Sequence, residues 1–216
     1  MRTPAQHVRD DRSKRILDVS IASTVLVLTA PLQAVLAVAV RRRLGSPVLF
    51  RQERPGLGGK PFVLVKFRTM HHLDGNRGLV TDAERLTRFG RWLRSTSLDE
   101  LPTLWNVLRG DMSMVGPRPL LMSYVGRYTP RQARRHEVRP GITGLAQTAG
   151  RNALSWEQKF VLDVTYVDAR CPNLDARILV RTIKAVAART GITADGEATM
   201  PEFRPAPELT SIGAAS

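Results

Sequence analysis

The sequence predicts an α+β fold, in which an N-terminal re-entrant membrane helix-break-helix precedes a small globular domain of helices with a short β-hairpin and amphipathic surface helices. Three observations support this prediction: an apolar N-terminal segment with a central proline, two short strand-like runs joined by a glycine-rich turn, and several apolar stripes at helical spacing. The composition agrees, because 43% hydrophobic and 24% charged residues allow a buried core and exclude a disordered polycation.

The apolar segment runs from Ile16 to Val40 and is long enough to reach deep into a bilayer. Basic residues flank it on both sides, Lys14 and Arg15 before it and residues 41–43 after it, so the positive-inside rule places both ends on the cytoplasmic side. Pro31 permits a bend, and each arm of about 10 to 14 residues is too short to cross about 30 Å of hydrocarbon. The segment is therefore predicted to be re-entrant, with Pro31 at the bend.

Two other interpretations of the apolar segment remain open. A tilted single-pass helix is compatible with Pro31, because proline is tolerated in membrane helices. A cleaved signal peptide would explain the basic start, the apolar core and the small residues at 37–39, although the three arginines at 41–43 would impede export. The flanking charges favour the re-entrant arrangement over both.

Two strands are predicted at 46–52 and 62–70, joined by a turn-rich loop at 54–61. In the second strand Lys66 and Arg68 share a face with Phe62 and Leu64, because side chains alternate with a period of two. One end of an apolar face therefore becomes cationic. A solvated strand end and an anion site both explain this pattern.

Helical spacing and end signals predict four helices, and a short return strand is expected at 111–115. The first helix starts with a capping box between Thr81 and Glu84, and the last presents basic residues opposite an apolar stripe, as on a membrane surface or on an ordinary surface helix. The predicted helices are 81–94, 97–110, 155–169 and 174–190.

Adjacent carboxylates, Asp99 and Glu100, lie at the start of the second predicted helix. A capping box between Ser97 and Glu100 explains one acid better than two. At a helix N-terminus the free amides and the dipole favour the ionised forms of both. An ionised aspartate beside a metal-binding glutamate has the chemistry to attack a phosphoryl group. Asp99 and Glu100 are therefore the candidate catalytic pair.

The net charge of +14, from 33 Lys plus Arg against 19 Asp plus Glu, predicts an anionic partner. Arg118 stands between Pro117 and Pro119, and a guanidinium on such a rigid backbone suits bidentate phosphate contact. Cys171 is the only cysteine, which excludes a disulfide scaffold, and no Walker, zinc or dinucleotide motif occurs. A non-enzymatic basic protein that binds nucleic acid or anionic lipid is the rival interpretation, but it does not explain adjacent acids among arginines.

Seven short motifs follow one another between residues 14 and 144: KRILD at 14–18, RPG at 54–56, KFRTM at 66–70, SLDELP at 97–102, NVLRGDMS at 106–113, GPRP at 116–119 and RPGITG at 139–144. Together they resemble the bacterial sugar transferases, the monotopic phosphoglycosyl transferases. The resemblance is strongest to short members such as the enzyme acting on UDP-diacetylbacillosamine. One departure is Ala30-Pro31, where the family's bend often reads Ser-Pro, so Thr29 or water is expected to satisfy the freed carbonyls.

The resemblance implies transfer of a sugar 1-phosphate from a UDP-sugar to polyprenyl phosphate, with Mg2+, at the cytoplasmic face of the bacterial inner membrane. It implies that Asp99 is the nucleophile, that an aspartyl phosphosugar forms as UMP leaves, and that Glu100 helps to bind the metal. Membrane phospholipid is a further expected partner, nucleic acid is not, and a homodimer is an open alternative to a monomer. The residues placed around the phosphates or near the site are Lys66, Arg68, Arg94, Arg118, Arg151 and Asp163.

The expected division of the chain follows the apolar segment. Residues 1–13 form an N-terminal tail, 14–43 the re-entrant helix and 44–192 the cytoplasmic catalytic domain. Residues 193–216 form a C-terminal extension, expected to be partly disordered because it is rich in Pro, Ala and Thr.

Overall fold

The computed structural model describes residues 4–150, 154–188 and 202–203, which form a mixed helix and sheet structure. The helices in these residues are α1 (Pro4–Leu44), α2 (Asp82–Arg85), α3 (Arg88–Ser95), α4 (Leu104–Arg109), α5 (Pro130–Ala133), α6 (Leu145–Ala149), α7 (Trp156–Ala169) and α8 (Pro172–Ala187). The strands are β1 (Leu49–Pro55), β2 (Pro61–Phe67), β3 (Ser113–Val115) and β4 (Gly141–Thr143).

Helix α1 is long and apolar, and among the described residues it is the one helix whose length and composition suffice to cross a membrane. Its most apolar window has a mean hydropathy of 2.0, and only 11% of that window is buried inside the protein. The helix starts at Pro4 instead of residue 14, so residues 4–13 extend it and do not form a separate tail.

The helix continues through Pro31 without an interruption in its secondary structure. Side chains in the surrounding turns bond within the helix: the Thr29 hydroxyl donates to the Val25 carbonyl at 2.6 Å, and Gln33 Nε2 donates to Thr29 Oγ1 at 3.0 Å. Thr29 therefore bonds the Val25 carbonyl and not the Val27 carbonyl, which Pro31 leaves without its i−4 donor, so the expectation for Thr29 is not confirmed. The bend itself and the re-entrant path remain predictions.

Both ends of α1 contact the same globular domain. Near the start, Arg15 donates to the carbonyls of Val107 and Leu108 at 2.5 and 2.8 Å, and Asp18 accepts from the Met114 amide at 3.0 Å. Between these contacts, side chains in the middle of α1 are exposed, with Val27 at 73% and Leu28 at 75%. The end of the helix packs into a buried cluster of Leu36, Val40, Leu44, Phe67 and Leu93.

Strands β1 and β2 pair antiparallel in the register Leu49 with Phe67 through Pro55 with Pro61, at the position of the expected hairpin. The turn at Leu57–Gly59 includes Gly58 at φ 64, a left-handed conformation that glycine adopts without a Cβ penalty. Pairing continues to Pro55, beyond the end expected for the first strand, and β2 stops at Phe67 instead of residue 70.

Strand β2 is fastened to the segment that carries the candidate acids. Asn106 accepts from the Val65 amide at 3.1 Å and donates to the Val63 carbonyl at 2.7 Å. Thr103 Oγ1 donates to the Val65 carbonyl at 2.9 Å. These bonds satisfy backbone groups on the open side of β2 and hold residues 98–109 against it.

The prediction of a single helix at 81–94 is wrong. The Thr81 and Glu84 capping box is present, but α2 ends at Arg85. Leu86 then takes an extended conformation and pairs with Met70, and Thr87 starts α3 by accepting from the Gly90 amide at 2.9 Å. A second capping residue and the pairing of Leu86 thus divide the segment into two helices.

The prediction of a capping box between Ser97 and Glu100 is also wrong. Ser97 has a left-handed backbone with φ 56, and its side chain caps no amide. Residues Leu98–Thr103 form a 3-10 helix that leads into α4, and Glu100 instead bonds Arg118. The expected glycine stop is confirmed, because Gly110 has φ 92 after the last turn of α4.

The C-terminal half contains the parallel pair β3 and β4 and the helices α7 and α8. Both helices match the predicted ones closely, and the Ser155 and Gln158 capping box starts α7. Of the predicted C-terminal extension the structure describes Glu202 and Phe203, and the remainder lies outside the described residues. Phe203 is buried in an aromatic cluster with Tyr124 and Phe160.

Gly141→Ala is expected to destabilise the protein, because a Cβ at Gly141 would lie 2.1 Å from the Gly116 amide nitrogen and 2.4 Å from the Thr143 carbonyl oxygen. We expect a loss of about 2 kcal/mol in the free energy of unfolding, or about 4 to 8 °C in the melting midpoint, measured by thermal unfolding in detergent. Gly75→Ala is the control, because a Cβ there meets no atom within 4 Å. Equal midpoints for the two variants would contradict the close approach.

Candidate active site

A cleft with a volume of about 1680 Å³ collects most of the candidate residues. Its walls come from the β1–β2 hairpin, the segment 98–101, the loop at 118–121 and α7. The charged residues of the sequence prediction that line it are Lys66, Arg68, Arg94, Asp99, Glu100, Arg118 and Asp163. Arg151 lies outside the described residues, and nothing is concluded about its position.

Asp99 is the buried acid of the cleft, with 4% of its surface exposed. Burial and, after it, the neighbouring Glu100 carboxylate raise the pKa of Asp99 to about 6, against the opposing effect of Lys66, Arg94 and Arg118. The side chain is therefore mostly ionised at neutral pH, but it is a stronger base than an exposed aspartate. Such a carboxylate is a suitable nucleophile toward a phosphoryl group.

Three cations from three separate elements face the pair of acids. Lys66 comes from β2, and burial lowers its pKa while Asp99 and Glu100 raise it. Arg94 comes from the last turn of α3, and its Nε donates to Thr69 Oγ1 at 3.0 Å. Arg118 comes from the proline-flanked loop and donates to Glu100 Oε1 at 2.8 Å with half of its side chain exposed. This set of charges provides a site for a substrate with several phosphate oxygens.

Arg68 lies at the edge of the cleft, but its guanidinium is directed at the end of α1. It donates to the carbonyls of Gly45 at 2.7 Å and Ser46 at 3.1 Å, and it also contacts the Leu44 carbonyl and His72. These bonds satisfy carbonyls at the C-terminus of α1 and connect α1 to β2. The structure thus shows Arg68 as a link between α1 and the site, and its contact with a phosphate remains a prediction.

Asp163 is buried on α7 and pairs with Arg135, a residue that the sequence argument did not select. Arg135 Nη2 and Nε donate to Asp163 Oδ2 at 2.7 and 3.1 Å, and the two residues are 2% and 3% exposed. In the sequence, Arg135 is one of several basic residues at 131–139, and no neighbouring motif distinguishes it. Only the fold brings it to the cleft.

Asp99 and Glu100 are also the candidate metal ligands. Among the described residues, no group of three or more His, Cys, Asp or Glu side chains is arranged to hold a metal ion. Mg2+ commonly binds through one or two carboxylates together with substrate phosphates and water. The pair fits that type of site, because a cation would relieve the repulsion by which Glu100 raises the Asp99 pKa.

The family profile of the bacterial sugar transferases matches residues 9–189. The chain belongs to this family. The match extends from α1 to the end of α8 and includes the carboxylate pair and all three surrounding cations. The chain is therefore an enzyme, a phosphoglycosyl transferase, and the match gives no support to a non-enzymatic basic protein.

Individual relatives agree with this assignment. The chain is 50% identical over 199 residues to the uncharacterized sugar transferase EpsL of Bacillus subtilis, covering 92% of this chain and 98% of that protein. It is 40% identical over 194 residues to the UDP-glucose:undecaprenyl-phosphate glucose-1-phosphate transferase of Caulobacter vibrioides, covering 85% and 73%. It is 36% identical over 197 residues to the UDP-galactose-lipid carrier transferase of Erwinia amylovora, covering 82% of this chain but 41% of that protein.

The raised pKa of Asp99 can be measured directly. In the transferase labelled with 13C at aspartate Cγ, the Asp99 resonance, assigned by its loss in Asp99→Asn, is expected to titrate near pH 6. In Glu100→Gln the titration is expected to move to lower pH, because the like charge that raises the pKa is removed. An Asp99 resonance that titrates at the same pH in both proteins would contradict the coupling.

Proposed function

We propose that this transferase moves a sugar 1-phosphate from a UDP-sugar to undecaprenyl phosphate, giving undecaprenyl diphosphate-sugar and UMP. The observation that carries the proposal is the buried Asp99 beside Glu100, surrounded by Lys66, Arg94 and Arg118 in a cleft of about 1680 Å³. The names of the relatives supply the substrate class, because the Caulobacter protein is named for UDP-glucose and undecaprenyl phosphate. This would be the first membrane step of glycoconjugate synthesis.

In the first half of the reaction, the ionised Asp99 carboxylate attacks the phosphorus that carries the sugar. A new bond forms between this phosphorus and the carboxylate oxygen, and the bond to the UMP oxygen breaks with its electron pair. Lys66, Arg94 and Arg118 lie where they would balance the charge that spreads over the phosphate oxygens. The products are UMP and an aspartyl phosphosugar.

In the second half, an oxygen of undecaprenyl phosphate attacks the same phosphorus and releases the Asp99 carboxylate. Both half-reactions join two anions, so each requires cations on the enzyme to reduce the repulsion. Two displacements at one phosphorus also restore Asp99 for the next turnover. The covalent route divides one difficult transfer, from a nucleotide anion to a lipid anion, into two steps.

Mg2+ is part of the proposal, with Asp99 and Glu100 as the protein groups that would hold it. When bound, it would supply positive charge to the diphosphate of the substrate. The Glu100 carboxylate is oriented by its bond to Arg118 and lies next to Asp99 in the chain. Removal of divalent cations with a chelator should therefore abolish UMP release.

The sugar is not specified by the cleft. Relatives of similar identity are named for glucose and for galactose, so a UDP-hexose is the first class to test. UDP-N-acetylated amino sugars form the second class. The same panel of donors that tests the reaction will identify the sugar.

For the location, we propose a re-entrant α1 at the cytoplasmic face of the bacterial inner membrane. Both arms of α1 attach to one globular domain, while Val27, Leu28 and Val35 between them are 65% to 75% exposed. That exposed surface suits hydrocarbon, and it lies between arms that are each too short to span a bilayer. Contact with phospholipid follows from this arrangement, and the homodimer remains a prediction.

Asp99→Asn is expected to lower UMP release by about 1000-fold or more, because it removes the nucleophile while preserving the size of the side chain. The assay contains nanodisc-held transferase, Mg2+, undecaprenyl phosphate and each UDP-sugar of the panel. Asp168→Asn is the control, because Asp168 is exposed and pairs with Arg134 away from the acids. Retention of near wild-type UMP release by Asp99→Asn would exclude the proposed mechanism. Failure of the wild type with every donor would exclude the function.

The topology can be tested by cysteine labelling in a Cys171→Ser background, with single cysteines at Ser13 and Ser46, which are both exposed. In spheroplasts a membrane-impermeant reagent should label neither position, and both should react after permeabilisation. Labelling of Ser13 alone from outside would show a single-pass helix instead. Pro31→Leu should shift part of the population toward that state, because it restores the backbone donor.

A further inference from the structure

Arg135 is a buried arginine for which the proposed reaction has no direct use. Both Nε and Nη2 donate to Asp163 Oδ2, at 3.1 and 2.7 Å, and only 2% of the residue is exposed. A buried charge of this kind is costly unless it is paired, and Asp163 provides the counter-charge. The pair is therefore a fixed element of the wall of the cleft.

The second contact of Arg135 is with the loop that carries Arg118. Arg135 Nη2 donates to the backbone carbonyl of Arg118 at 2.7 Å. Pro117 and Pro119 restrict the backbone on either side, so one bond at this carbonyl sets the orientation of the intervening residue. The Arg118 side chain then reaches Glu100 at 2.8 Å. Arg135 thus connects the buried Asp163 to Arg118, the partner of Glu100.

The guanidinium of Arg135 is also enclosed by rings. Its central carbon lies 5.7 Å from the centroid of Tyr128 and 5.6 Å from that of Phe160, within the range of cation–π attraction. Phe203 packs against both of these rings, with ring centroids 5.0 Å from Phe160 and 5.9 Å from Tyr128. Phe203 is itself held by Arg127, which donates to its carbonyl at 2.9 Å.

We propose that Arg135 is a positioning residue for Arg118, with Asp163 as its counter-charge and the rings of Tyr128 and Phe160, which Phe203 supports, packed against it. Asp163 then acts on the substrate through Arg135 and Arg118 and makes no contact of its own with the phosphates. Phe203 contributes indirectly, because it packs on the Tyr128 and Phe160 rings that contact Arg135. This inference rests on the proposed function, because it assigns to Arg118 a contact with the diphosphate of the UDP-sugar.

A lysine at position 135 would not reproduce these contacts. Arginine donates from a planar fork and can bond Asp163 and the Arg118 carbonyl together, whereas an ammonium is a point charge on a flexible stem. Arg135→Lys therefore keeps the charge and removes the geometry. The adjacent Arg134 is the matched control, because it pairs with Glu137 and Asp168 on the surface, and Arg134→Lys changes the same chemical group outside the cleft.

The test is a double-mutant cycle on the binding of UDP to the full-length protein in nanodiscs with Mg2+, measured by titration calorimetry. Arg118→Ala, Arg135→Lys and Asp163→Asn are each expected to raise the Kd of UDP by about tenfold. Arg135→Lys and Asp163→Asn are expected to change the Kd less than twofold in the Arg118→Ala background. Arg134→Lys should leave the Kd within twofold of the wild-type value.

A further tenfold loss in the Arg118→Ala background would overturn the proposal, because it would show that Arg135 or Asp163 acts on the ligand independently. Phe203→Leu leaves the Arg135–Asp163 ion pair intact, and it replaces Arg135→Lys and Asp163→Asn as the test if those variants do not fold. It is expected to weaken UDP binding severalfold in the wild type but not in Arg118→Ala, and an unchanged Kd in the wild-type background would contradict the role of the rings. A wild type that neither binds UDP nor releases UMP would instead refute the proposed function.

Discussion

The repulsion between the buried Asp99 carboxylate and the adjacent, partly exposed Glu100 carboxylate is the constraint on which the rest of the structure depends. Asp99 is almost fully buried next to Glu100, and its burial and the Glu100 charge both raise its pKa. The ionised pair is tolerated because three cations face it, and each cation comes from a different element. The bonds of Asn106 and Thr103 to β2 hold Lys66 against the acids, while Gly90 lets α3 approach close to Thr69 and brings Arg94 into place. These local contacts therefore hold the cations close to the two acids.

Attachment of α1 is the second constraint, because it relates this arrangement to the membrane. Arg15 connects the first arm to α4, and Arg68 connects the end of the helix to β2, the strand that carries Lys66. The chemistry of a lipid phosphate requires the acids to lie near the headgroups. On the proposed re-entrant path, the two arms would place the cleft at that level without any part of the catalytic domain crossing the bilayer.

Much of this could be predicted from the sequence where a short-range signal exists. The apolar segment and the later helices follow from hydropathy and capping residues, and the family resemblance implied the clustering of Asp99, Glu100 and Arg118. The division of residues 81–94 could not be predicted, because it depends on the pairing of Leu86 with Met70 across the fold. Arg135 was missed for the same reason, since its partners Asp163 and the Arg118 carbonyl are 28 and 17 residues away. Contacts between residues far apart in the chain leave no periodic pattern in the sequence.

The central claim is that Asp99 carries the sugar phosphate between donor and acceptor. The most direct measurement is intact-protein mass spectrometry after incubation with a competent UDP-sugar and Mg2+ in the absence of undecaprenyl phosphate, followed by peptide mapping. The account predicts an added mass equal to one sugar phosphate, located at Asp99 and lost when undecaprenyl phosphate is supplied. A protein that turns over with both substrates but never gains this mass, or that gains it at another residue, would contradict the account.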